Sequence, residues 1–135
     1  MNKAIIIFTL LIASIALHAQ TIEFSKSTPA VIANDGVLRS TTYVALGYIM
    51  ADNSIQNGTH SIVGYITNDG TIQNADHLAA GFVLPDGTVQ DNKLNIIGYV
   101  RNNGNIEDAS GNIIGKAPGI SKTWAAVCFF FYKVS

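Results

Sequence analysis

The chain has 135 residues, 48% of them hydrophobic and 13% charged, with a formal net charge of −1. Its eight basic residues are scattered, which excludes the clustered basic footprint that nucleic acid needs. A single cysteine excludes an internal disulfide framework, so packing must hold the fold together.

Lys3 precedes an apolar run from Ala4 to Ala16 (AIIIFTLLIASIA), and small residues stand at Ala16 and Ala19. This is the pattern of a secretory signal peptide. Residues 1–19 are expected to be removed, with cleavage after Ala19 leaving Gln20 as the new N-terminus; cleavage after Ala16 competes. An uncleaved anchor helix is the alternative, but the run is shorter than the ~20 residues that span a bilayer. The mature chain, residues 20–135, is expected to be one domain without a transmembrane span, exported to the periplasm or beyond. It keeps seven basic residues against nine acidic ones, a formal charge of −2.

From residue 30 the chain repeats. Gly47, Gly64, Gly81, Gly98 and Gly115 fall 17 residues apart, and Ala30 holds the same place one period earlier. Five units follow: 30–46, 47–63, 64–80, 81–97 and 98–114. After each of the first four glycines comes an aromatic (Tyr48, Tyr65, Phe82, Tyr99), then a branched aliphatic, a turn, and a further aliphatic at Ile55, Ile72, Val89 and Ile106. A fixed period of this kind signals a repeat architecture.

Each unit reads as a β-hairpin. In Asn68-Asp69-Gly70 and Pro85-Asp86-Gly87 the glycine supplies a positive φ, and the runs 61–66, 71–74, 88–91 and 95–100 on either side have strand character. The second connection, as in Ala109-Ser110-Gly111-Asn112, reads as looser. Strict alternation puts Ile62, Gly64 and Ile66 on one face and Val63 and Tyr65 on the other, so both faces of the strand look apolar. A mid-strand glycine indicates close approach of another group. The apolar C-terminal segment 123–134 (TWAAVCFFFYKV) shows no helical stripe and is expected to cover the second face as a closing strand or plug, with a membrane or partner contact as the alternative. Cys128, inside it, reads as a small buried apolar residue.

Units of the form Gly-Tyr-Ile-x-x-Asp-Gly-Thr-Ile-Gln-Asn, five times over residues 30 to about 117, resemble the five-fold β-flower proteins. The resemblance implies an all-β domain of hairpins closed around a central axis, and a bacterial exported protein. It implies no activity, and it transfers no functional residue.

Catalytic and metal chemistry find little support. His60 and His77 hold equivalent places, but Leu94 and Gly111 follow them, and two ligands make no metal site. The aspartates of the turns lack the spacing of a calcium loop. No nucleophile, base and orienter come together, so no enzyme and no cofactor are expected. The row Gln56, Gln73, Gln90 and Glu107 reads as a solvated rim. The aromatic row Tyr48, Tyr65, Phe82 and Tyr99 is the candidate ligand site, either as an exposed platform for an envelope glycan or partner protein, or as core beneath the C-terminal segment. The expectation is a noncatalytic exported structural or interaction module, with an enzyme whose site the sequence conceals as the remaining alternative.

Overall fold

A computed structural model describes residues 19–24, 30–33, 35–40, 42 and 44–132. The expected signal segment up to residue 18 lies outside the described residues. Twelve short strands follow one another: β1 (Ala19–Phe24), β2 (Ala30–Ala33), β3 (Val37–Ser40), β4 (Ala45–Ile49), β5 (Ser54–Asn57), β6 (Ile62–Ile66), β7 (Thr71–Asn74), β8 (Ala79–Val83), β9 (Thr88–Asp91), β10 (Ile96–Val100), β11 (Asn105–Asp108) and β12 (Ile113–Lys116). Each pairs antiparallel with its neighbours in sequence, and β1 pairs with β12, so the sheet is a closed barrel.

Five hairpins are the five sequence units. The ring also contains a sixth pair, assembled from the two ends of the domain. Glu23 pairs with Lys116 and Phe24 with Gly115, the register in which Gln56 pairs with Tyr48 and Asn57 with Gly47. Thr21-Ile22-Glu23 therefore stands where Thr71-Ile72-Gln73 stands in its own unit. This split hairpin closes the ring.

Both kinds of turn are built alike. Gly70 N–H donates to the Thr67 carbonyl and Thr67 N–H to the Thr71 carbonyl; His77 N–H donates to Asn74 and Asn74 N–H to Leu78 in the same pattern. Each is a type I turn followed by one residue of positive φ. The second connection is thus as tight as the first, because its opening Asn or Asp accepts two backbone N–H bonds: Asn74 Oδ1 takes those of Asp76 and Leu78. The turn aspartates have the structural role expected of them, as where Asp69 Oδ1 accepts from Thr71 N–H.

The aliphatic core is layered. Ile22, Leu38, Ile55, Ile72, Val89 and Ile106 are almost fully buried, one from each pair, and Ile32, Ile49, Val83, Val100 and Ala117 form a second layer beside them. Straight alternation fails at the rear of the barrel, the end that carries the His60 and His77 turns. A bulge between Ile62 and Gly64 leaves Ile62 exposed and turns Val63 to the core. The strands, at four to six residues, fall short of the ~9–11 that cross a bilayer. Among the described residues no helix is long and apolar enough to do so.

The C-terminal segment is a plug inside the barrel, and it is helical rather than a strand. Helix α1 (Lys122–Ala126) starts at Ser121, whose Oγ accepts from Trp124 N–H at 3.1 Å, and it runs on into a π-helical segment, Val127–Phe131. Strand pairing was unavailable because the barrel has no free edge. A helix satisfies its own backbone, and one surrounded by barrel wall is apolar all round, which explains the missing stripe.

Candidate functional site

Plug and barrel are shaped to one another station by station. A methyl group added at Gly115 would overlap the ring of Phe129, at Gly98 that of Phe130, at Gly81 that of Phe131, and at Gly64 that of Tyr132. Four consecutive residues thus meet four glycines 17 residues apart, in reverse chain order. An α-helix turns roughly 100° per residue, too fast for six stations, and the wider π turn slows the advance. The Tyr132 N–H to Val127 carbonyl bond, 2.8 Å, closes that wider turn. Farther forward the plug places the fully buried Ala125 and Ala126 in one cluster with the aliphatic layers, and the half-buried Trp124 packs against that cluster. Where the wall is glycine the plug is aromatic.

The fifth glycine breaks the series. Among the described residues no ring presses on Gly47, and the nearest group is the Gln56 carbonyl, 3.1 Å from where a Cβ would stand. A cavity of about 240 Å³ opens there, walled by Leu38, Leu46, Ile55, Val63, Val127 and Cys128, with Tyr132 at one side. The Cys128 thiol is buried and desolvation pushes its pKa up to about 12, so it stays protonated and unreactive. Burial also raises the Tyr132 phenol above its ordinary range.

The candidate row Tyr48, Tyr65, Phe82 and Tyr99 lies on the outside of the barrel. Each ring follows an inward glycine, is half-buried, and is no part of the core cluster. The expectation that the C-terminal segment covers these rings is therefore corrected: that segment fills the glycine side. Their covers are local instead. His60 stacks on Tyr48 with centroids 4.3 Å apart, and His77 on Tyr65 at 4.1 Å. The Arg101 guanidinium lies 4.3 Å above the Tyr99 ring while it grips Glu107 at 2.8 Å. Strand register sets Gln56, Gln73, Gln90 and Glu107 directly across from the four rings. Gln56 Oε1 and Gln73 Oε1 reach the imidazole Nδ1 of His60 and His77 at 3.2 and 3.4 Å. The histidines are thus absorbed by their own units, and among the described residues no group of three His, Cys, Asp or Glu is placed to hold a metal.

Sequence reading missed two further features. One is the Gly47 cavity, whose signal was the run Phe129 to Tyr132: four aromatics for five glycines. The other is the rear rim, where Val44, Ile62, Leu78, Leu94 and Ile96 are exposed. Leu94 is 64% exposed and holds φ +69°, in the position that His60, His77 and Gly111 take in their units.

These features define a closed β-repeat barrel sealed by its own C-terminal plug. Residues 19–133 match the family of 5-fold beta-flower proteins, and the chain belongs to that family. Neither curated proteins nor solved structures give a match.

Proposed function

We propose that the protein is exported, released by cleavage after Ala19, and acts without catalysis as an interaction module. Its contact surface is the rear rim, and its partner is an envelope protein presenting an apolar patch. Leu94 carries this reading. A bulky apolar residue at positive φ is strained, and exposure of its side chain to water adds nothing to the fold. An observed outlier of this kind points to a use outside the fold. The partner is a protein rather than an anionic bilayer because the mature chain is itself acidic, at −2. The absence of catalysis is supported by the near-symmetry of the barrel and by the burial of its one thiol.

A second reading, a polar ligand or glycan held on Tyr48, Tyr65, Phe82 and Tyr99, is favoured by one observation: every ring has an amide or carboxylate directly across the strand pair. Cross-linking in intact cells separates the two readings. A discrete adduct of the wild-type protein that is lost in the Leu78→Asn, Leu94→Asn double variant and kept in Tyr65→Ala supports the rim. The converse supports the aromatic row. An adduct untouched by either change, or none at all, overturns the rim proposal.

A further inference from the structure

We infer that the cavity at Gly47 is a binding site for a small phenolic ligand, which takes the place of a fifth ring. This inference is independent of the rear rim; Tyr48 and Gln56 of the outer rows border the same cavity. It rests on the equivalence of the stations. At Gly64, Gly81, Gly98 and Gly115 the glycine is required because a ring lies against it. At Gly47 the glycine is present without a ring among the described residues, although glycine weakens a strand that no side chain approaches. The space left is about 240 Å³, its wall mostly apolar, with Tyr48, Gln56, Asn57 and Tyr132 also bordering it. Dry apolar cavities of roughly 150 Å³ are known to take up benzene.

The hydroxyl is specified by the neighbouring station. There Tyr132 Oη donates to the Gln73 carbonyl at 2.9 Å, and that carbonyl stands against Gly64 as the Gln56 carbonyl stands against Gly47. Gln56 and Gln73 are the same position one unit apart. A phenol seated over Gly47 finds the acceptor that Tyr132 finds over Gly64.

Titration of the full mature chain with 4-methylphenol, read by calorimetry and by the shift in Tm, tests this. Saturable one-to-one binding is expected, roughly fivefold tighter than that of toluene, which lacks the hydroxyl. Val63→Phe fills the cavity from its wall, so binding should vanish while Tm is kept or raised. Leu46→Phe, from the opposite side, provides the same reading should Val63→Phe not fold. Absence of saturable binding to the wild-type chain overturns the proposal, as does binding that survives a folded cavity-filling variant. Equal affinity for toluene overturns the phenolic class. Binding that arises only after removal of residues 133–135 shows that the tail is the occupant and likewise overturns it.

Discussion

The phenol of Tyr132 donates its proton to the main-chain carbonyl of Gln73, 2.9 Å away across 59 residues of sequence. One end of the plug is thereby tied to β7, the second strand of the unit it faces. Phe129, Phe130 and Phe131 meet the equivalent carbonyls with phenyl rings, so among the described glycine stations this is the one with a directional bond; at the other end of the plug Lys122 Nζ donates to the Pro85 carbonyl at 3.2 Å.

Replacing Tyr132 with Phe should therefore leave the packing in place and remove the bond. The expected loss is about 1 kcal/mol, with the Gln73 carbonyl left facing an apolar ring. In a domain of this size that is a fall in Tm of roughly 4 °C. A thermal melt of the two proteins checks it, and an unchanged midpoint means that the carbonyl is satisfied by other means.

The glycine stations give a paired prediction. Gly81→Ala should cost about 2 kcal/mol or more, since the new methyl meets both the Phe131 ring and the Gln90 carbonyl. Gly47→Ala should stay within about 1 kcal/mol of wild type, because only the Gln56 carbonyl is near and a residue with a Cβ suits a strand better. Denaturant melts of both variants decide the matter. Equal costs would mean that the plug does not discriminate between stations.

Repetition made the hairpins legible. The 17-residue spacing placed β6 at 61–66 where Ile62–Ile66 is found, and β7 and β9 on the residues expected. The sixth pair was hidden because its strands lie at opposite ends of the chain, although Thr21-Ile22-Glu23 echoes Thr71-Ile72-Gln73. Alternation misassigned Val63 because a bulge is a register event in the partner strand as much as in its own. The helix was missed because periodicity reports a boundary between water and core, and a plug has no such boundary. The aromatic row was left between exposed platform and core for a related reason: a glycine has no side chain to reveal that its face is the buried one.

Acid should loosen the turns. Asp69 is held below the usual carboxylate range first by the Thr67 hydroxyl and then by the Thr71 hydroxyl and N–H. Asp52, Asp86, Asp91 and Asp108 are lowered by similar bonds, that of Asp52 chiefly by the Ser54 hydroxyl and those of the others chiefly by backbone N–H groups. A carboxylate with a depressed folded-state pKa binds fewer protons in the folded state. Its stabilisation is present above the unfolded value near 3.8 and is lost as pH falls through the lower folded value. Tm should thus fall from about pH 5 downward, and Asp69→Asn should reduce the steepness of that fall. A Tm profile of the variant as steep as that of wild type would show that Asp69 carries no part of the effect.

Deleting one whole unit, residues 64–80, tests the ring and plug together. The cut joins Val63 to Gly81 in register, so an open stack of hairpins would lose one repeat and a graded share of its stability. A closed barrel cannot respond in that way. Two of its twelve strands disappear, and the diameter, which grows roughly linearly with strand number, shrinks by about a sixth. The plug does not shrink with it. Ala125 and Ala126 are already as small as side chains come short of glycine, and the aliphatic layers around the axis have no slack, with Ile22, Val89 and Ile106 at 0% exposure. The stations also fall out of step. Phe129, Phe130 and Phe131 would still find Gly115, Gly98 and Gly81, but Tyr132 would be carried onto Gly47 in a narrower lumen. The expected product is an aggregated or molten chain without a cooperative melt. A soluble monomer of nearly unchanged Tm would mean that the barrel is not closed around its plug.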